Sequence, residues 1–302
     1  MSGASHPASA AEVSRGTVQS AGPGALLASA LIHGVLIAAV CFALYPILWV
    51  IDLALSPEGS VGGRVLPIPE APTLDHFVRV LTMTNDEGTW LFLRQLANSV
   101  LVSGSTALLA VAIATPAAYG FSRFNFLGSK LATETLLATQ MFPGVASAIP
   151  VYLLMSSLGL LDTRTGLVLL YAASAVPFAI FQLRGAFDAI PKDLEEAAMV
   201  DGATQFGAAL RVALPAARPA IAVTALFAFM QAWNEFILAA TFLSREERFT
   251  LPVVLQRYVG EHHAEWGSFA AGAILVSVPV MLLFYALQKQ FISGLTSGGV
   301  KG

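Results

Sequence analysis

The sequence predicts an all-α membrane protein with six spans, and three observations predict it. The first is charge: only 12% of the 302 residues are Asp, Glu, Lys or Arg, while 56% are hydrophobic, at a mean hydropathy of +0.72. An ordinary soluble domain carries about 25% charged residues, so this chain has about half the usual density. The second is the length of its charge-free runs, because a helix needs about 20 mostly apolar residues to cross ~30 Å of hydrocarbon. The third is the absence of strand alternation, which a membrane β-strand shows over about 10 residues. Leu108, Leu109, Ala110, Val111, Ala112 and Ile113 are instead apolar on every side.

No residue between Arg15 and Asp52 is charged, which predicts a first span over 25–51. No basic segment leads into it and its run is too long for the apolar region of a signal peptide, so it reads as a retained span. Residues 1–24, rich in Ala, Ser and Gly, read as a flexible tail. The runs Arg94 to Arg123, Glu134 to Asp162 and Arg164 to Arg184 predict spans over 94–121, 131–157 and 166–187. A run from Arg218 to Arg245, interrupted only by Glu235, predicts a fifth over 216–243, and Glu265 to Lys289 a sixth over 267–290. Pro116, Pro143, Pro150, Pro177 and Pro279 fall inside these spans and predict kinks. Gln140, Gln182 and Gln231 predict hydrogen bonds between helices, and Lys130 with Glu134 an i, i+4 ion pair. Between the first two spans, Leu74, Phe77, Val78 and Leu81 recur at i, i+3, i+4 and i+7, behind Thr73 as N-cap and Asp75 in the first turn. They predict a short amphipathic helix that lies on the membrane surface or packs on the bundle as a lid.

Charge excludes several function classes. With 16 Lys+Arg against 19 Asp+Glu the net charge is -3, so no basic surface exists for nucleic acid. The single cysteine, Cys41, allows no disulfide. The motifs Gly-x-x-x-x-Gly-Lys-[Ser/Thr], His-Glu-x-x-His and Gly-x-Ser-x-Gly are missing, which leaves no nucleotide cradle and no catalytic residue to name. Glu261, His262, His263 and Glu265 are the sole metal-like cluster, and adjacent histidines on a loop seldom converge on one ion, so no metal site is assigned. Six spans put both termini on one side. That side holds nine Lys and Arg against seven on the other, which places the termini in the cytoplasm.

Residues 188–215 differ from the rest of the chain. Pro191 suits a first helical turn, Asp193, Glu195 and Glu196 complement a helix N-terminus, and Leu194, Ala197 and Ala198 share one face. Gly202 sits where a left-handed residue would end that helix, and Phe206, Leu210 and Val212 lead through a second short helix to Leu214-Pro215. From the residues alone the segment is a helix-turn-helix knob in water, or simply a well-capped polar connection.

Glu196-Ala197-Ala198, then Gly202, then Val212-Ala213-Leu214-Pro215 match, without a gap, the EAA motif of ABC importer permeases; Val212 stands for the motif's Ile. Gln140-Met-Phe-Pro143, Leu158 to Thr163, Trp233-Asn-Glu-Phe236, Phe249-Thr-Leu-Pro252 and the tail Gly294 to Gly302 resemble the sugar branch of that family. The tail and Gln140 to Pro143 resemble most the smaller permease subunit of maltose importers. The resemblance covers nearly the whole chain after residue 25 and implies the type I ABC importer permease fold with a cytoplasmic coupling helix. It implies that Glu195, Glu196, Ala197, Ala198, Asp201, Gly202, Ala203, Leu214 and Pro215 couple to a cytoplasmic ATPase. It further implies two copies of that ATPase, which hold ATP and Mg, a paralogous second permease and an extracytoplasmic sugar-binding protein. No cofactor falls to this chain. The substrate implied is an oligosaccharide of the maltose or trehalose type.

Two features keep two readings each. Glu235 lies about 19 residues, roughly 28 Å, into its span. It either reaches interfacial water or, with Trp233, Asn234 and Gln140, borders the sugar path, an aromatic ring stacking on a pyranose while the polar groups bind hydroxyls. After Lys289, Gly294, Gly298, Gly299 and Gly302 disfavour a helix, so the tail is frayed or runs up to ~40 Å into the ATPase, with Gly299 and Lys301 as contacts. The expected organisation is therefore a tail over 1–24, a transmembrane domain over 25–290 and a cytoplasmic tail over 291–302. The alternative function is an ion-coupled secondary transporter of a small polar solute.

Overall fold

The computed structural model describes residues 23–57, 66–85, 87–141, 144–260 and 264–299. The expected tail before residue 23, the Glu261, His262, His263 cluster and Lys301 lie outside them. The chain forms two compact units, residues 1–49 and 50–302. The described part of the first is residues 23–49 of the helix α1 (Pro23–Leu55).

The second unit is built from α2 (Asp75–Leu81), α3 (Leu91–Arg123), α4 (Ser129–Met141), α5 (Ala148–Ser157) and α6 (Arg164–Asp188). There follow α7 (Asp193–Val200), α8 (Gln205–Ala208), a π-helical turn over Ala209–Ala213, α9 (Leu214–Ala216) and α10 (Arg218–Trp233). The chain ends with α11 (Ile237–Phe242), α12 (Leu251–Arg257) and α13 (Trp266–Gly299). Among the described residues there is no strand, only the isolated bridges Thr84–Trp90 and Val259–Ala264.

Among the described residues four helices, α1, α3, α6 and α13, are each long and apolar enough to cross a membrane, and Gln205–Ala216 with α10, bent by 70°, makes a fifth if the pair is one broken span. Three expectations are corrected here. The span expected over 131–157 is two helices of 13 and 10 residues, α4 and α5, separated by a 3-10 turn at Gly144–Ser147. The sequence places Pro143 at this point, and proline removes a donor and disfavours helix at the residue before it. The span expected over 216–243 stops at Trp233 and resumes only as the six-residue α11. The helix after 290 was not expected, yet α13 continues to Gly299. Propagation from a formed span needs no new nucleus, so about 1 kcal/mol per glycine does not stop it.

Small residues explain how the spans approach. Ala107 and Ala110 of α3 meet Ala175 of α6 and Ala228 of α10, and Ala114 and Ala118 of α3 meet Ala179 of α6. In lipid no hydrophobic force drives helices together, so close backbone approach at Ala does. At the end of α3 remote from residues 188–215, the fully buried Asn98 amide donates to the carbonyls of Glu247 (2.8 Å) and Phe249 (3.0 Å). The Ser99 hydroxyl accepts the Leu251 N–H at 2.8 Å.

The amphipathic helix forms as α2, but its buried face is not the expected one. Leu74 and Val78 are exposed while His76 and Val80 are buried, with Phe77 and Leu81 half-buried beside them. The N-cap is Leu74 rather than the expected Thr73, whose hydroxyl, one residue earlier, accepts the Asp75 N–H at 3.2 Å. The imidazole decides the register. Its Nε2 lies 3.1 Å from the Ser56 carbonyl and its Nδ1 3.4 Å from the Ser268 hydroxyl. It rests against Gly267, where a Cβ would lie 2.2 Å from Nε2, so only glycine admits it.

Candidate functional site

Residues 188–215 form the expected knob. Asp193, Glu195 and Glu196 occupy the first turn of α7. The helix ends in a Schellman motif: Ala203 N–H reaches the Ala198 carbonyl and Gly202 N–H the Met199 carbonyl, both at 3.0 Å. Gly202 has φ +90°, the left-handed conformation the turn requires. The Thr204 hydroxyl then caps α8 by accepting the Gly207 N–H at 3.1 Å. Leu214 and Pro215 lie in α9, just before the bend into α10.

The structure separates two carboxylates that the sequence presents alike. Glu196 faces outward with Ala197, Asp201 and Gly202. Glu195 turns inward and is buried: Oε1 accepts Arg123 Nε at 2.6 Å and Oε2 accepts the Tyr119 hydroxyl at 2.7 Å. Only 6% of the Arg123 side chain and 7% of the Glu195 side chain are exposed. Such a pair is stable only if its remaining donors are filled. They are, because Arg123 also donates to the carbonyls of Phe187 (2.9 Å) and Ile190 (3.0 Å). One guanidinium at the end of α3 therefore holds the end of α6, the connection after it and the start of α7. Arg123 was not singled out from the sequence. Its only signal was a cation closing the second span on the same side as the knob.

The outer surface of the knob is apolar where water would favour polarity. On α7, Val200 is 88% exposed and Leu194 51%, whereas Phe206, 74% exposed, lines a pocket with Val111, Thr115 and Pro116 of α3. Exposed apolar side chains of this kind suit contact with a protein or a membrane.

The residues proposed for a substrate path are not gathered into one site. Trp233 is buried and stacks on Phe229 at 5.3 Å, so its ring faces the packing rather than a vestibule. Glu235 is half-buried and its carboxylate is engaged. Its oxygens accept the N–H groups of Leu238 (2.9 Å) and Ala239 (3.0 Å), which caps α11, and the Tyr171 hydroxyl at 2.6 Å. Asn234 is exposed and donates to the Met230 carbonyl at 2.8 Å. Gln140 and Gln231 are exposed and both reach Ser174 of α6, whereas the Gln182 carbonyl oxygen is buried without a partner. Lys130 and Glu134 stand 3.9 Å apart as the expected pair. Gly299 is the last residue of α13. Among the described residues no group of three His, Cys, Asp or Glu gathers in a way that suits a metal ion.

At the far end, Asp162 organises a second ionic site at φ +53°. Its carboxylate accepts Arg245 Nε at 2.7 Å and the Ser244 N–H at 3.1 Å, with Arg248 at 3.3 Å. Burial opposes its ionisation, but the bonds from Arg245 and Ser244 and the Arg248 charge hold its carboxyl below the ordinary value of 3.8.

Comparison with known proteins places this geometry. Residues 96–296 match the family described as binding-protein-dependent transport system inner membrane component. The galactooligosaccharides transport system permease protein GanQ of Bacillus subtilis is 36% identical over 85% of this chain and 90% of its own length. The trehalose transport system permease protein SugB of Mycobacterium tuberculosis is 36% identical over 87% of this chain and 94% of its own. A chain from the crystal structure of a bacterial ABC transporter involved in the import of the acidic polysaccharide alginate superposes with a TM-score of 0.72. It is 25% identical, with 88% of this chain and 97% of that chain covered.

Proposed function

Because the chain belongs to the family of binding-protein-dependent transport system inner membrane components, we propose that it is one permease half of an ATP-driven importer for an oligosaccharide. It is a multi-pass membrane protein and a transport subunit rather than an enzyme. The observation that carries the proposal is the knob, which leaves Leu194 and Val200 exposed while Arg123 binds its root to α3 and α6. One of two ATPase copies, which bind ATP and Mg, receives that apolar surface through the coupling residues Glu196 to Ala203. The knob and both termini then face the cytoplasm, and a paralogous permease supplies the other half of the channel.

The mechanism follows from the connections. Closure of the ATPase pair displaces α7. The Arg123–Glu195 bridge prevents α7 from sliding alone, so the pull passes to α3 and α6, and through the π turn and the 70° bend to α10. The spans switch between inward- and outward-facing arrangements, and an extracytoplasmic binding protein loads sugar into the outward one. Gln140 and Asn234 lie on the path; Trp233 and Glu235 shape it from behind as packing and as the cap of α11. A carbohydrate substrate is supported by the relatives of known cargo, and the Gln140-Met-Phe-Pro143 and tail motifs favour the maltose or trehalose type. The ion-coupled alternative would draw on Glu235, whose two oxygens are already engaged.

The test is uptake into proteoliposomes that contain both permeases and the ATPase, supplied with binding protein and a panel of labelled maltose, maltodextrin, trehalose and galactooligosaccharide. Accumulation of one of them that requires internal ATP is expected. Accumulation driven by an ion gradient without ATP would sink the proposal.

A further inference from the structure

Exposed side chains at membrane depth are expected to be apolar, because an amide facing hydrocarbon loses its hydrogen bonds. One face of this subunit breaks that rule. Ser174 lies ten residues after Arg164 in α6, about 15 Å along it and so near the middle of a ~30 Å hydrocarbon layer. Gln140 of α4 donates to its carbonyl and Gln231 of α10 to its hydroxyl, each at 3.4 Å, and all three residues are exposed. Bonds this long leave both amides with spare donor and acceptor capacity. One turn along the same stripes, Phe178 of α6 and Phe227 of α10 meet edge-to-face at 6.1 Å while 47% and 49% exposed. Asn234 continues the α10 stripe one turn beyond Gln231.

Backbone geometry agrees. Helix α4 ends one residue after Gln140 and α10 ends two residues after Gln231. Non-helical backbone at membrane depth occurs where it is buried in protein or lines a watery cavity. We infer that Phe178 and Phe227, with Gln140, Ser174 and Gln231, form a carbohydrate subsite on this subunit, its rings under the apolar face of a pyranose and its amides on the hydroxyls. The inference rests on the carbohydrate reading above and assigns it a place. None of the five groups is charged, which suits a neutral sugar and not an ion. Amides that both donate and accept match hydroxyls, which do the same.

The test uses the whole transporter with its single cysteine removed by Cys41→Ser. Ser174→Cys is nearly isosteric, and Leu108→Cys, at an apolar side chain of α3 that is 75% exposed, is the control. The cysteine thiolate, which forms only where water reaches it, attacks the sulfenyl sulfur of methanethiosulfonate ethylammonium to give a mixed disulfide and release methanesulfinate, so Ser174→Cys should react on the order of tenfold faster or more than Leu108→Cys. The transported sugar with binding protein should slow it. Phe227→Ala should raise the uptake KM for that sugar about tenfold, and Phe227→Tyr should restore it while leaving kcat near the wild-type value. Ser174→Cys reacting no faster than Leu108→Cys would place this face against lipid or partner and overturn the subsite. An unchanged KM in Phe227→Ala would overturn the platform. A wet Ser174→Cys in a wild-type transporter that accumulates no carbohydrate would overturn the ligand itself, a failure of the underlying function and not of the geometry.

Discussion

Replacing Arg123 by Met keeps the aliphatic stem and removes the guanidinium that joins three elements. Among the described residues, Glu195, 7% exposed, is then left with the Tyr119 hydroxyl as its one side-chain partner. Breaking a buried pair from one side costs about 3–5 kcal/mol, because the surviving charge stays in a poorly solvated place. Arg123→Lys should lie between, since an ammonium can meet the carboxylate but cannot also hold the Phe187 and Ile190 carbonyls in a planar fork. At about 1.5 kcal/mol, the lower end for a bond from a charged donor, for each of the two lost, that variant should lose about 3 kcal/mol. Adding Glu195→Gln to Arg123→Met should recover part of the loss, because no uncompensated charge remains. Unfolding by SDS in mixed micelles measures these differences, and the number of sugars moved per ATP measures coupling. If Arg123→Met matches the wild type within about 0.5 kcal/mol and couples normally, the bridge neither stabilises the knob nor transmits its motion.

Gly202→Asp should insert normally yet lose transport or fail to retain the ATPase on purification, because φ +90° strains a non-glycine residue by about 1–2 kcal/mol and re-aims the knob; wild-type transport would refute the assignment of this loop. Gly267→Ala should loosen α2, since its Cβ would sit 2.2 Å from His76 Nε2, and adding His76→Ala should partly restore the protease resistance of residues 66–85. The Asp162 carboxyl is held below its ordinary value of 3.8, so its stabilisation is present above that pH and is lost as pH falls through the lower folded value. Thermal unfolding followed from pH 7 downward should show this step, and Asp162→Asn should lack it. Trp233→Ala should cost about 3–5 kcal/mol of stability, as removal of a packed ring does; a loss of transport with no loss of stability would return Trp233 to the sugar path.

Charge density and run length were enough to determine that this chain crosses a membrane repeatedly as helices, because lipid forbids both unpaired backbone and unpaired charge. The knob was equally legible, since Pro191, the acids of its first turn and Gly202 each act on their own local backbone. What required the tertiary structure were choices between residues of the same type. Glu195 and Glu196 are neighbours with one chemistry, and only the position of Arg123, 72 residues away, turns one inward and leaves the other exposed. The continuity of the third and fifth spans was illegible for a related reason. An apolar run states that a segment tolerates lipid, but whether its helix is whole depends on whether something else can satisfy the freed backbone. Glu235 does so for α11, with the Tyr171 hydroxyl fixing the carboxylate from another helix. The buried face of α2 was likewise decided 191 residues downstream, by a glycine small enough to admit an imidazole. Local rules act within a few residues of their cause, whereas burial and ion pairing are assigned by whichever distant segment arrives beside them.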